Sequence, residues 1–360
     1  MQKNFGNKAI ISFFVFFIIS LLSVVSFNYY IDPFGSYGTN HICLSKKCLS
    51  EFNLNIFLAK EAKAKNILLG SSLSHRSNLK DYSQAAGMNV LNLAGSFNTA
   101  AEQKKLIEIA AKETKLESVY WELYTNFIRG PEFIKTEIPY YLFDKSPLND
   151  FKYLASIDTI KASFTTLTQP SIYDLPLIGL QEFNTCFDCQ YGKKHVLNKL
   201  PYILLARQNY IDFNNLTAKS ISQSLNKDIL ASIDAHPQTN FTFFFPPVSI
   251  YDIIDYNNRM VKNNNFSIIE VKRLIAKKLL IKKNVKIVDF QLMENFITDL
   301  NNYSDLLHFK PQTNNYIAKN LNNPNYQLNL PNLEQRLATL NALMIKYNSQ
   351  YDKFLKKINK

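Results

Sequence analysis

Residues 9–27 read AIISFFVFFIISLLSVVSF, and no charged side chain lies between Lys8 and Asp32. At 1.5 Å rise per residue, such a run makes a helix of roughly 28 Å, about the thickness of a bilayer's hydrocarbon core. Both faces are apolar, which does not suit a core helix with one buried stripe. Lys3 and Lys8 precede the run, and the first charge after it is Asp32. By the positive-inside rule, residues 1–8 form a cytoplasmic tail, residues 9–27 a transmembrane anchor, and the rest is exported. The alternative is a cleaved signal peptide with Val24 and Ser26 before the cut, although its apolar region exceeds the usual ~7–15 residues.

Export changes how the four cysteines read. Cys43 and Cys48 form one close pair, and Cys186 and Cys189 another. Outside the cytoplasm disulfides are the default, and local pairing is the simplest of the three connectivities. A zinc site on the Cys186/Cys189 spacing, with His41 or His195 as further ligands, is the rival. The chain has 360 residues, 46% hydrophobic and 19% charged, so it can bury a sizeable core and is not disordered by composition. Only 9 glycines exclude collagen-like and glycine-linker architectures, and no solenoid or propeller period is visible. Lys+Arg exceed Asp+Glu by 41 to 29, a net charge of +12. Without a nucleic-acid motif, and with export, this excess points to anionic lipids or anionic envelope polymers and not to nucleic acid.

Residues 28–59 read as a connector, irregular over 28–48, with a helical pattern over 50–65. Short apolar runs then alternate with helical periodicity: 67–69, 89–94, 118–124, 241–245 and 285–290 as strands; 99–114, 150–168, 201–235 and 257–282 as helices. Strands that are nearly all apolar and separated by helices predict a parallel sheet covered on both faces. The expected fold is a three-layer α/β/α sandwich with a five-stranded, mainly parallel sheet over 60–325. The long gap at 125–240 exceeds one crossover and predicts an inserted region. Residues 326–360 carry an amphipathic helix with Leu333, Leu337, Leu340, Met344, Tyr347, Tyr351, Phe354 and Ile358 at 3–4 residue steps. Packing on the domain is its expected role; a partner helix or a contact with anionic lipid are the others.

In an open parallel sheet, ligands bind at the carboxyl ends of the strands. Gly70, Ser71 and Ser72 follow the first strand; Gly95, Ser96 and Asn98 the second; Thr125 and Asn126 the third. Past the fifth comes YSDLLH at 303–308. A serine nucleophile needs a base within hydrogen-bond reach, and a carboxylate fixes that histidine's tautomer. Ser72, His308 and Asp305 supply all three. Backbone N–H groups of Ser72 and Gly95, with the Asn126 side chain, are the expected oxyanion donors.

GSS at 70–72, NLAGS at 92–96 and DLLH at 305–308 together resemble the blocks of the SGNH (GDSL-like) hydrolase superfamily. With the anchor and YIDPFG at 30–35, the chain is similar to its membrane-anchored envelope members. Those include relatives of the D-alanyl transfer protein of teichoic acid synthesis and of the alginate O-acetylation proteins. The resemblance implies an SGNH/flavodoxin-like fold in the bacterial cytoplasmic membrane, with the domain on the periplasmic side. It implies a serine esterase or O-acyltransferase that acts on an envelope polysaccharide or acylated polymer without metal or cofactor. A membrane protein that donates the acyl group is an implied partner. Ser72 takes the nucleophile's place, Asp305 and His308 the DxxH places, and Gly95 the second-block glycine. Ser71 stands where the family has aspartate, and ELYTN at 122–126 where it has GxND.

Other residues read more plainly. His75 and Arg76 are expected on a solvated helix surface, with contact to an anionic substrate as the alternative. His41, His195 and His236 read as surface residues, and Trp121 as core. Glu122 either faces the site or pairs with a cation. Tyr140 and Tyr141 are candidates for a carbohydrate groove. The competing functional class is a catalytically inactive envelope protein that uses the same cleft, or the last helix, to bind a partner or polymer.

Overall fold

The structure, a computed structural model, describes residues 2–33, 37, 55–56, 58–60, 62–77, 79–96, 98–124, 146, 148–168, 190–210, 216–264 and 266–358. Cys43, Cys48, Cys186, Cys189, His41, Asn126, Tyr140 and Tyr141 lie outside the described residues. The chain forms two compact units: Met1–Glu61 with Glu137–Leu180, and Ala62–Thr136 with Gln181–Lys360. The expected insertion at 125–240 is therefore divided between the two.

In the first unit, the apolar run lies in a helix, Gln2–Ile31, longer than the 19 residues read from the sequence. Its stretch Lys8–Ile31 has mean hydropathy 2.7 and is long and apolar enough to cross a membrane. The helix stops at Asp32, whose φ of 42° lies in the left-handed region that ends helices. The Asp32 carboxylate accepts from the Tyr153 hydroxyl at 3.0 Å and the Tyr37 N–H at 2.9 Å, which ties the helix end to the following segments.

The second unit holds a mixed six-stranded sheet: β1 Asn66–Leu69, β2 Leu91–Asn92, β3 Ser118–Glu122, β4 Asn240–Phe245, β5 Val285–Asp289 and β6 Gln327–Leu328. Their order is β2-β1-β3-β4-β5-β6. The first five are parallel and β6 runs antiparallel to β5, with Ile287 opposite Leu328. The five-stranded expectation is corrected here. Two residues are too few to show a period of two, and the domain boundary drawn at 325 falls just before β6.

The central strands are largely apolar because both their faces are covered. Phe241, Phe243 and Phe244 are almost fully buried, and Phe243 stacks on Trp121 with ring centroids 5.5 Å apart. Each such side chain contributes about 1.5–3 kcal/mol. The helix Ala100–Glu113 starts at a reciprocal cap between Thr99 and Glu102, and Ile268–Leu279 at one between Ser267 and Glu270. The last helix, Leu333–Ile358, packs on Ile250–Asn264 and Ile268–Leu279. It buries Leu337, Leu340 and Phe354, and its Tyr351 hydroxyl donates to Asp255 at 2.7 Å. It is thus part of the sheet unit. Among the buried polar groups, Arg207 bridges Asp252 and Asp255. Lys272 donates to Asp289 at 2.8 Å and to Gln291 at 2.9 Å.

Candidate active site

The carboxyl end of β1 runs into Gly70 and the one-turn helix Ser72–His75. Gly70 is required by close approach: a Cβ there would sit 2.8 Å from both Glu122 Oε2 and Ser74 Oγ. Ser71 caps the short helix, its Oγ accepting from Leu73 N–H at 3.3 Å. Glu122, fully buried at the end of β3, holds the turn from below. One carboxylate oxygen accepts Ser71 N–H at 3.3 Å and Ser71 Oγ–H at 2.5 Å. The other accepts Ser74 N–H at 3.0 Å and Ser74 Oγ–H at 2.5 Å. Burial pushes the Glu122 carboxyl up, and these four donors pull it partly back. Asn92 Nδ2 donates to Ser74 O at 2.9 Å, and Asn314 Nδ2 to Leu73 O at 3.0 Å. With its neighbours tied down, Ser72 remains partly exposed between them.

The other half of the site follows β5. Tyr303 pairs with Phe309 in a bridge, and Ser304 N–H donates to His308 O at 2.9 Å, closing a tight loop. Tyr303 Oη donates to Pro247 O at 2.6 Å and Ser249 Oγ to Leu306 O at 2.5 Å, anchoring the loop to the end of β4. The loop sets His308 Nε2 2.7 Å from Ser72 Oγ, and His308 Nδ1 2.7 Å from Asp305 Oδ2. Asp305 Oδ1 accepts the backbone N–H groups of Leu307 at 2.8 Å and His308 at 2.7 Å. Burial raises the Asp305 carboxyl, but the His308 beside it and these donors outweigh that and hold it well below the ordinary carboxylate range. An ionised Asp305 places the proton on Nδ1, which leaves Nε2 to accept from Ser72 Oγ–H.

The structure thus brings Ser72, His308 and Asp305 together. It treats the expected oxyanion donors differently. Ser72 N–H, the first of its helix, donates to no described group. Gly95 N–H is already spent on Gly70 O at 3.2 Å, extending the β1–β2 ladder by one rung, so it is not free as assigned from the sequence. Asn98 Nδ2, on a residue only 5% exposed, has no hydrogen-bond partner among the described residues. Its side chain lies directly over Gly95, where a Cβ would approach Nδ2 to 2.6 Å. In the sequence Asn98 is one of several polar residues after the second strand; its place three residues past Gly95 is the signal that marks it.

Two more donors flank the triad. Arg76 Nη1 and the Tyr191 hydroxyl are buried atoms without partners among the described residues. Tyr191 is held against the His308 loop, because the next residue, Gly192, donates its N–H to Tyr303 O at 3.0 Å. Burial raises the Tyr191 phenol, Arg76 pulls it down and Asp305 pushes it up, so both charges act on it. His75 is buried and Arg76 half-buried, which corrects the expected solvated surface. His195 and His236 are also half-buried; burial lowers His236. A separate cavity of about 530 Å³ between 111–116 and 235–239 opens where β3 and β4 begin, at the end of the strands away from the triad.

No protein-family model matches the chain. No curated protein matches it either.

Proposed function

We propose that this chain is a membrane-anchored, extracytoplasmic serine esterase or O-acyltransferase of the SGNH type. The observation that carries the reading is the 2.7 Å approach of Ser72 Oγ to His308 Nε2, with Asp305 on the other ring nitrogen. The strand order supports it: the five parallel strands run 2-1-3-4-5, the order of flavodoxin-like three-layer sandwiches. Ser72 follows β1, beside the point where that order reverses.

In the proposed reaction, Ser72 Oγ attacks the ester carbonyl carbon and its proton passes to His308 Nε2. The carbonyl oxygen gains negative charge, facing Ser72 N–H and Asn98 Nδ2. The C–O bond to the leaving alcohol breaks, and that oxygen takes the proton from Nε2. Water, or a glycan hydroxyl, then gives its proton to Nε2 and attacks the acyl carbon; the bond from that carbon to Ser72 Oγ breaks, and Oγ takes the proton back from Nε2. Water makes the protein an esterase; a glycan hydroxyl makes it a transferase, supplied by a membrane acyl donor. Arg76 and Tyr191 would hold an anionic group of an envelope polymer beside the reacting ester. The anchor, with Lys3 and Lys8 on its cytoplasmic side, would keep the site outside the bacterial cytoplasmic membrane.

The test uses the full chain in detergent: labelling by a fluorophosphonate probe and hydrolysis of a short p-nitrophenyl ester. Wild type is expected to react, and Ser72→Ala and His308→Ala to lose both signals. A folded wild type inert to both reagents would overturn the esterase reading and favour an inactive protein that binds a partner or polymer in the same cleft.

A further inference from the structure

Helix Ile157–Thr168, in the first unit, is built inside out. Its buried residues are Thr159, Ser163 and Thr166, each no more than 2% exposed, whereas Ile157, Phe164 and Leu167 are 68%, 58% and 46% exposed. At roughly 100° per residue the helix has three stripes. Thr159, Ala162, Ser163 and Thr166 form the packed stripe of small residues. Ile157, Ile160, Phe164 and Leu167 form an apolar stripe, and Asp158, Lys161, Thr165 and Thr168 a polar one, about 100° further round.

The packed stripe meets the carboxyl-terminal part of the apolar helix Gln2–Ile31. Ser163 Oγ donates to Asn28 Oδ1 at 2.9 Å, and Phe164 lies against Phe27 with ring centroids 5.2 Å apart. Asn28 Nδ2 also donates to Leu154 O at 2.8 Å, tying the end of the preceding short helix, Phe151–Leu154, to the same point. Leu21, Val24, Val25 and Asn28 are partly or fully buried, whereas residues 8–20 are exposed throughout. The contact is therefore confined to the last turns of the long helix. Small residues at the contact and hydrogen bonds between helices are the pattern of packing in a bilayer, where apolar side chains gain nothing by facing inward. In water the same helix would expose its apolar stripe and bury its hydroxyls, the reverse of what burial favours.

We propose that Ile157–Thr168 lies in the membrane interface, its Ile157/Ile160/Phe164/Leu167 stripe against the acyl chains of the leaflet in which the Gln2–Ile31 helix ends. The occupant is lipid because the stripe continues the exposed apolar surface of that helix, to which Phe164 and Ser163 attach it. The polar stripe then faces headgroups and water, the division expected of an interfacial amphipathic helix. This inference rests on Gln2–Ile31 spanning a membrane.

The experiment places single tryptophans in the full chain, reconstituted in nanodiscs with and without brominated lipid. Trp121 is fully buried in the other unit and adds a constant background. Phe16→Trp reports the span itself; Phe164→Trp and Leu167→Trp report the apolar stripe, and Thr165→Trp the polar one. Phe164→Trp and Leu167→Trp are each expected to be quenched at least about twofold more than Thr165→Trp, as for a face ~5–10 Å below the headgroups. Equal quenching across 164, 165 and 167, or none at 164 and 167 while Phe16→Trp is quenched, overturns the proposal and leaves the span intact. No quenching at Phe16→Trp overturns the span, and this inference with it.

Discussion

Glu122 accepts both the N–H and the Oγ–H of Ser71, at 3.3 and 2.5 Å, from beneath the turn that carries Ser72. The same carboxylate takes the matching pair from Ser74. A single buried side chain thus fixes the residues on both sides of the proposed nucleophile. Because burial raises its folded-state pKa above 4.5, Glu122 favours the folded state most at low pH, and this contribution is lost as pH rises through the raised value. The stability of wild type relative to Glu122→Gln is therefore expected to fall between pH 4 and pH 8 in thermal melts. A difference that grows with pH would refute this. Glu122→Ala strands four donors and is expected to cost about 3 kcal/mol.

Asp305 works in the opposite sense. Its folded-state pKa is depressed, so its contribution is present above the ordinary value of 3.8 and is lost only as pH falls through the lowered one. The stability difference between wild type and Asp305→Asn is expected to stay level from pH 8 to pH 5 and to shrink only on stronger acidification. At neutral pH the same variant should slow fluorophosphonate labelling of Ser72 by about 10³–10⁴-fold, through loss of the correct imidazole tautomer. Labelling at the wild-type rate would remove Asp305 from the mechanism.

Asn98 brings the one buried amide beside the Gly70–Gly95 rung that has hydrogen-bond capacity left among the described residues. Asn98→Ala is expected to lower kcat for a p-nitrophenyl ester by about 10²–10³-fold with little change in KM, the mark of a donor used in the transition state. A change confined to KM would show that Asn98 only shapes the cleft.

Arg76 Nη1 and Tyr191 Oη are unspent donors near an ionised Asp305. An aryl ester carrying a carboxylate is expected to be turned over in preference to its neutral counterpart. Arg76→Gln should reduce that preference about tenfold, the worth of one charge-assisted hydrogen bond. Exchange of the exposed Lys277 for Gln serves as the control for net charge. An unchanged preference in Arg76→Gln would leave the pair without a role in selecting substrate.

The long apolar helix, much of the alternation of strand and helix, and the places of Ser72, Asp305 and His308 past the strand ends are legible along the chain, because each follows from local pattern. Hydropathy marks a membrane-length helix, apolar runs mark strands buried on both faces, and strand ends mark where polar residues gather. Harder to read were the elements whose meaning depends on a distant partner. β6 is a strand only because Leu328 meets Ile287. Glu122 sits in a strand that otherwise reads as core, and its four donors come from a turn about 50 positions earlier. Gly95 has the right place in the motif, yet whether its N–H is free depends on how far the ladder to Gly70 extends.

Helix Ile157–Thr168 draws the same line. The 3.6-residue period announces a helix at 150–168, but three stripes of different polarity do not say which one is buried. That choice was made by Asn28 and Phe27, more than a hundred residues away, which engage Ser163 and Phe164 and turn the hydroxyl-bearing stripe inward. The sequence alone determined the apolar helix, the five parallel strands and which residues can do chemistry, because these depend on neighbours within a few positions. Only the tertiary structure decided which donors are spent, which carboxylate is clamped and which apolar surface is left uncovered, because hydrogen-bond partners and burial are set by segments far apart in the chain.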